Sequence, residues 1–154
     1  MVKRAVKSSW AQGEVRLTAH VDGTLTLVSI EGALTIDTDP HVARRVHELA
    51  AINNTDAAVV DFRQCDVLFT ASEAAEALAP VYAFGDTMPR PIAMICHARD
   101  FDRFSEFASR VGHSRAIRRA FTELDAAVTW TTQKGKVWRA RQIELRLANE
   151  GSLS

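Results

Sequence analysis

Strict alternation of polar and apolar residues marks the first ordered stretch of the chain. Glu14 to Val21 alternates in this way, and Thr24 to Ile30 follows after Asp22-Gly23. A period of two is typical of a half-buried strand, and Asp-Gly tolerates the positive φ angles of a tight turn. The pattern predicts a β-hairpin with one wet face.

A continuous apolar run, Ala57 to Phe62, follows further along the chain. It includes two β-branched valines, and a short run of this kind indicates a strand buried on both faces. Residues 63–69 then leave the strand as a loop. The run predicts the central strand of a sheet.

The next stretch carries a helix-start signal, Thr70-Ala71-Ser72-Glu73. In a Thr-x-x-Glu box the hydroxyl accepts from a free helix N–H while the carboxylate reaches back to the cap. Thr70 is therefore the predicted cap, and Ser72 is a competing one. The Ala-rich run beyond it predicts a helix towards Phe84, which Pro80 either kinks or shortens.

The same signals place the remaining elements. Asp39-Pro40 predicts a helix start, because Asp caps free amides and Pro tolerates the first helical position. Apolar periodicity and glycine stops complete the prediction. The further predicted elements are a helix to Asn53, a strand over 91–96 that is followed by His97, a helix over 101–111 closed by Gly112, a short strand over 116–121, a helix over 122–130 and a final helix over 134–149.

Composition supports one ordinary globular domain. The 154 residues are 47% hydrophobic and 25% charged, with 19 basic and 19 acidic side chains. This balance gives no pull towards nucleic acid or anionic membrane, and no apolar run approaches the length of a membrane span. Residues 1–13 lack the apolar core of a signal peptide and are predicted to form a loose leader, so a cytoplasmic location is the default expectation.

At this point the order of elements resembles the STAS family, small domains typified by bacterial anti-sigma-factor antagonists and related in fold to Sec14-type lipid-binding domains. The similarity runs from Thr24 to Trp130 and depends on the Val59-Val60-Asp61-Phe62 strand and the hydroxyl cap of the next helix. A looser group of stand-alone bacterial proteins shares the Phe121 to Trp130 pattern, Phe-x-x-x-x-x-Ala-x-x-Trp, and resembles this chain more. The activity of that group is generally unassigned.

The resemblance implies a candidate phosphoacceptor. Antagonists of this family carry an Asp-Ser-Ser/Thr-Gly motif whose first Ser is phosphorylated to break a complex with a partner kinase, and Thr70 occupies the place of that Ser. Phe69, Ala71 and Ser72 stand where the motif has its Asp, second hydroxyl residue and Gly. A dianion at a helix N-terminus has a physical rationale, while a plain helix cap is the simpler interpretation.

Further candidates lie at the predicted carboxyl rim of the sheet, where open α/β folds bind ligands. They are Asp61, Phe69, His97 and Arg99. A hydrolase would need an acid, a hydroxyl and a histidine in hydrogen-bond contact, and the chain has no Gly-x-Ser-x-Gly elbow. A weak hydrolase is therefore the third hypothesis.

Other residue types give weaker signals. Phe101 and Phe104 are predicted core residues and Phe107 an exposed apolar contact, although the three could also line a ligand cavity. Arg115, Arg118 and Arg119 form a candidate anion or partner contact, with a solvated face as the ordinary alternative. Cys65 is a loop thiol and Cys96 a buried one. The histidines lack metal-ligand spacing, so no metal is assigned.

The sequence therefore predicts an α/β, STAS-like domain over residues 14–132 with a mixed four- to five-stranded sheet, an N-terminal hairpin, alternating helices and an extra C-terminal helix and tail over 133–154. The first hypothesis is a non-enzymatic regulatory module that binds another protein around the helix capped by Thr70. The alternative is a sensor of a small molecule or lipid. No cofactor is expected, and a homodimer through the hairpin or the last helix is a further prediction.

Overall fold

The computed structural model describes residues 8–82, 89–111 and 117–152 of the chain. One six-stranded sheet runs through the domain in the spatial order β1-β2-β3-β4-β5-β6. The strands are β1 Ser8–Gln12, β2 Val15–Asp22, β3 Leu25–Leu34, β4 Ala57–Val67, β5 Ile92–Ile95 and β6 Arg118–Phe121. The helices are α1 Asp39–Ile52, α2 Ala71–Tyr82, α3 Phe101–Val111 and α4 Leu124–Ser152, with a 3₁₀ turn, Ala98–Asp100, before α3.

Two halves of different topology build the sheet. β1, β2 and β3 pair antiparallel, and β3 to β6 pair parallel with a helix in each crossover. Gly23 has φ 60° and Asp22 pairs with Leu25, so the hairpin loop consists of Gly23 and Thr24. The predicted hairpin and the parallel α/β core are both confirmed, with six strands in place of the expected four or five.

The extra strand, β1, comes from the segment expected to form a loose leader. Ser8–Gln12 pairs with β2 along the outer edge of the sheet, with Trp10 opposite Leu17. Trp10 is partly buried and packs against the main core. The leader prediction was wrong for these residues, because five residues with little alternation give no period to recognise while an existing strand still offers them a hydrogen-bonded edge.

Helices cover the two faces of the sheet unequally. Every second side chain along a strand points to the same side of the sheet. On one side these side chains pack against the apolar stripes of α1, α2 and α3 and form the larger core. On the other side a smaller core joins Ala127 of α4 to Val59, Ala93 and Ile95 of the parallel strands. The sheet surface next to β2 stays uncovered there, in agreement with the predicted wet face of the hairpin.

α4 is one helix of 29 residues where the sequence predicted two. Gly135 lies just past the predicted break over 131–133, and a Cβ at this position would lie 2.9 Å from the Cβ of Asp56. The glycine therefore permits close packing instead of ending the helix. Arg139 fastens the same region, because its Nε donates to Asp56 Oδ1 at 2.7 Å and its Nη2 donates to the Asn54 carbonyl at 2.9 Å.

Candidate functional site

The carboxyl ends of β4 and β5 meet at one edge of the sheet, where the connections to α2 and α3 begin. We call the surface formed by residues 68–72 and 97–101 the rim. Arg103 follows the second segment and Val67 precedes the first. The Nη1 of Arg103 donates to the carbonyl of Val67 at 3.0 Å, which connects the two segments. The sequence prediction placed Asp61, Thr70 and His97 in this part of the fold.

Thr70 caps α2 through a complete capping box. Its Oγ1 accepts from the backbone N–H of Glu73 at 3.2 Å, and its own N–H donates to Glu73 Oε1 at 3.0 Å. The hydrogen bond from the Thr70 backbone N–H, with a smaller effect of the Thr70 side chain, holds the pKa of the Glu73 carboxyl below its usual value. Ser72, the competing cap, lies inside the first turn and is exposed. The predicted choice of Thr70 as the cap is confirmed.

Removing the Thr70 hydroxyl should destabilise the domain. Thr70→Ala deletes the acceptor of the Glu73 N–H, which should lower the free energy of unfolding by about 1 kcal/mol. Thr70→Ser should keep most of it. Ser72→Ala is the matched control, because it removes a hydroxyl from the same turn without touching the capping box, and urea unfolding compares the three variants. An equal loss in Ser72→Ala would contradict the capping role.

Two apolar side chains are exposed at the rim. Leu68 is 58% exposed, directly before the capped turn, and Phe101 is 37% exposed at the start of α3. Phe69 directly follows Leu68, but its side chain turns inwards and packs against the main core. The sequence had Phe101 as core and Phe107 as exposed; the structure reverses both, since Phe107 is only 7% exposed.

The remaining rim candidates are held in separate interactions. Asp61 forms an ion pair with Arg63, whose Nη2 donates to Oδ2 at 2.8 Å. Burial acts to raise the pKa of Asp61, but the hydrogen bonds and charge of Arg63, with a smaller effect of His97, hold it below its usual value. His97 is exposed, and Arg99 contacts Asp100 at 3.5 Å. Among the described residues no hydrogen bond joins Asp61, Thr70 and His97 into a triad.

The predicted basic cluster is not one surface. Arg118 and Arg119 are consecutive on β6, so their side chains point to opposite faces of the sheet. Arg118 is half-buried beside α1 and α3, whereas Arg119 is exposed, 5.2 Å above the ring of Phe121. Arg115 lies outside the described residues.

A cavity lies below the rim, between the sheet and the three helices of the larger core. It reaches from Thr70, Phe69 and Arg103 towards Asp39 and Arg118. The void is about 560 Å³, including space open to solvent, and about 40 Å³ of it can hold the centre of a water-sized molecule. The room inside is therefore small, and part of the void is open to solvent. Its walls are otherwise mostly apolar: Leu34, Val42, Ala43, Val46, Val60, Phe62, Val67, Ala71, Ala74, Leu78, Ile92, Met94, Phe104 and Phe107.

Three titratable side chains lie at this end of the larger core. Asp39 is 8% exposed, and burial raises its pKa to about 7 although the positive charge of Arg118 opposes the shift. Burial, with the charges of Arg118 and Arg90, lowers the pKa of His47 to about 3. Arg118 Nη2 lies 3.3 Å from His47 Nε2, and because Arg can only donate, the ring nitrogen accepts and the imidazole is neutral.

Sequence reasoning missed this group. It predicted Asp39 as a helix-start residue and Arg118 as part of a candidate anion or partner contact, with a solvated face as the alternative. A signal was nevertheless present, because Asp39, Val42 and Val46 share the spacing i, i+3, i+7 of one helix face. Asp39 therefore lies on the apolar stripe of α1.

Neither cysteine is placed for redox chemistry. Cys65 lies in β4 rather than in a loop, is 4% exposed and donates its thiol to the carbonyl of Ile30 at 3.3 Å. Burial is the main reason that its pKa rises to about 12, and burial also raises that of Cys96 to about 11. Thiols protonated at neutral pH are poor nucleophiles. Within the described ranges no cluster of three or more His, Cys, Asp or Glu side chains could hold a metal ion.

The distal half of α4 extends past the body of the domain. Beyond Gln142 every described side chain is exposed, including Ile143 at 50% and Leu147 at 61%. No helix within the described ranges combines the length and apolar character needed to cross a membrane. Dimerisation through this helix or the hairpin stays a prediction.

Similarity to known proteins is found at the level of the fold. No protein-family model matches the chain, and no curated protein matches it. An anti-sigma factor antagonist from Mycobacterium paratuberculosis is similar in structure, with a TM-score of 0.54 at 14% sequence identity, over 77% of this chain and 94% of that one. An uncharacterised protein of the DUF3478 family with a SpoIIAA-like fold, from Shewanella loihica PV-4, gives a TM-score of 0.46 at 12% identity, over 85% and 98% of the two chains.

The first of these similarities defines the class of the fold. The antagonist has nearly its whole length matched, at an identity that reports on fold alone. The chain is therefore an α/β protein with a STAS-like fold, as the sequence predicted.

Proposed function

We propose that the protein is a non-enzymatic regulatory module that binds another protein through the rim. The observation that carries this proposal is the exposed apolar side chain of Leu68 directly beside the capped N-terminus of α2. Isolated exposed leucines are common, but here Phe101 adds a second apolar contact, and Arg103 fastens the two connections together. An apolar surface that is held in place by hydrogen bonds and surrounded by polar residues is typical of a protein–protein contact.

The similar fold of an anti-sigma factor antagonist is compatible with this function. Thr70 would then lie inside the contact surface, with its hydroxyl exposed to modification. A phosphate on Thr70 would place a dianion beside the carboxylate of Glu73, which accepts a hydrogen bond from the same residue. The two anions would repel each other and open the capping box, so phosphorylation would alter the surface next to Leu68.

A comparison of substitutions at two exposed aliphatic residues tests the contact surface. Leu68→Asp places a charge at the rim, whereas Ile52→Asp places one on a side chain that is 72% exposed at the end of α1. Epitope-tagged wild type and both variants are crosslinked in the native host, and the recovered proteins are quantified by mass spectrometry. We expect Ile52→Asp to keep the partner and Leu68→Asp to recover at least about tenfold less of it, which corresponds to about 1.4 kcal/mol.

Equal melting temperatures of the variants would show that folding is not the cause of a loss. Thr70→Glu in the same experiment tests the phosphoacceptor hypothesis, and unchanged recovery would contradict it. The contact surface itself would be refuted if Leu68→Asp and Ile52→Asp recovered the same proteins in the same amounts.

The cavity supports a second function, a sensor domain for a small ligand. Its apolar walls reach Phe69 and Thr70, so an occupant would contact residues that also form the rim. Native mass spectrometry of gently purified protein tests for such an occupant. A reproducible small-molecule mass, displaced on unfolding, would support the sensor, and a bare protein at every ligand concentration tested would contradict it.

A further inference from the structure

The side chain of Asp39 is largely buried and lines the cavity. It is 8% exposed, and within the described part of the chain no hydrogen bond or ion pair reaches its oxygens. Burying a polar group in this state is costly unless something pairs with it. Asp39 is therefore a polar group in the wall of the cavity that an occupant could satisfy.

The charges around Asp39 restrict what that occupant can be. Arg118 on β6 and Arg103 on α3 line the same cavity, and both are positive. His47 on α1 is neutral, and Cys65 on β4 is a protonated thiol. A cationic occupant would face two arginines, and a charged occupant of either sign would lose its hydration in a mostly apolar space. An uncharged hydrogen-bond donor avoids both costs and can bond to the carboxyl group of Asp39.

We propose that the cavity binds a slender, uncharged apolar molecule with a single hydroxyl group, which donates to Asp39 while the apolar body packs against Val42, Val60 and Phe104. The small room inside the void favours an unbranched body. This inference rests on the sensor function proposed above and names its ligand class.

Proton linkage gives the proposal a second observable. A hydroxyl donor bonds the carboxylate form of Asp39 more strongly than the acid form. Binding should then lower the pKa of Asp39 from its value of about 7, and affinity should rise as the pH passes upwards through 7. The bound state should correspondingly release protons near neutral pH.

Four probes of similar length test the head group: hexan-1-ol, 1-chloropentane, hexanoate and hexylammonium. At one hundred times its Kd, hexan-1-ol should raise the melting temperature by about 5 to 10 °C, and calorimetry should show it binding about tenfold or more tightly than 1-chloropentane. Asp39→Leu should abolish that preference. Asp39→Asn, which keeps an acceptor but cannot titrate, should abolish only the pH dependence, and Asp66→Asn, an exposed acid on β4, should change neither.

The outcomes separate the two levels of the proposal. Equal binding of hexan-1-ol and 1-chloropentane to the wild type would overturn the hydroxyl assignment and leave the sensor function standing. Tighter binding of hexanoate or hexylammonium would overturn the uncharged class. If none of the four probes binds at millimolar concentration, the ligand class is rejected, and the sensor function is rejected with it only if native mass spectrometry also finds the protein bare.

Discussion

Gly32→Ala should unfold much of the protein under conditions in which the wild type is folded. Gly32 has φ 110°, a backbone conformation that side chains with a Cβ rarely adopt. A Cβ at this position would also lie 2.2 Å from the carbonyl oxygen of Glu14 and 3.3 Å from the Cα of Val15. Both obstacles are backbone atoms at the entry to β2, so neither can move aside without shifting a strand.

The two costs add at Gly32. Backbone strain of this kind amounts to about 1–3 kcal/mol, and forcing an extra carbon into a packed site costs about 1–3 kcal/mol more. The expected loss of about 2–6 kcal/mol is a large share of the roughly 5–15 kcal/mol that stabilises a typical domain. Urea unfolding at pH 7 measures this loss.

Gly13→Ala is the matched control for Gly32→Ala. Gly13 also has a positive φ, 61°, but a Cβ there would meet only Thr38 Cγ2 at 3.8 Å, an ordinary contact. This variant should therefore cost only the backbone term of about 1–2 kcal/mol. If Gly32→Ala were no more destabilising than Gly13→Ala, the close approach to Glu14 would not matter for stability.

Local signals were sufficient to predict the parts of the fold in which neighbouring residues decide the conformation. The tight turn at Gly23, the capping box of Thr70 and the buried run of Ala57 to Phe62 each combine residue type and spacing within a few positions. The order of these elements was then sufficient to predict the parallel core. Each signal favours the same structure that tertiary packing requires.

The predictions failed where tertiary contacts outweigh local preference. Gly135 costs about 1 kcal/mol in a helix relative to Ala, but its missing Cβ lets α4 pack against Asp56, so the helix continues. β1 forms because β2 offers it an edge, which its own five residues do not reveal. At the candidate site, the spacing within Phe101 to Phe107 could not show which ring the sheet would bury.

The electrostatic group at Asp39 and His47 was beyond sequence reasoning for a related reason. A pKa depends on burial and on charges brought near by the fold, and Arg118 is 71 positions away from His47 along the chain. The structure places these groups together, and their opposite pKa shifts make a distinctive prediction for stability.

Between pH 4.5 and 6.5 the contributions of Asp39 and His47 to stability should cancel in the wild type. The pKa of Asp39 is raised in the folded state, to about 7 from 3.8, so folding takes up a proton and stability falls as the pH rises through this interval. The pKa of His47 is lowered, to about 3 from 6.5, so folding releases a proton and stability rises over the same interval. Each contribution amounts to about 4–5 kcal/mol in total.

Single substitutions should expose each contribution separately. In Asp39→Asn only the His47 contribution remains, so the free energy of unfolding should increase by up to about 1.4 kcal/mol per pH unit towards pH 6.5. At pH 8 this variant should exceed the wild type by about 1–3 kcal/mol, because the relief of a buried charge outweighs the cost of a buried amide. His47→Gln keeps an acceptor for Arg118 and should show the opposite slope.

Urea unfolding at half-unit steps from pH 4.5 to pH 8 measures these slopes. Carboxylates with lowered pKa, such as Asp61, titrate mainly below this window and affect all variants alike. If the curves of the wild type and Asp39→Asn ran parallel from pH 4.5 to 8, Asp39 would have an ordinary pKa in the folded protein, and the proton linkage expected for ligand binding in the cavity would be lost with it. If instead the slopes separate with the expected signs, Asp39 is a buried acid that titrates near neutral pH, and the cavity contains a group whose bonding an occupant can change.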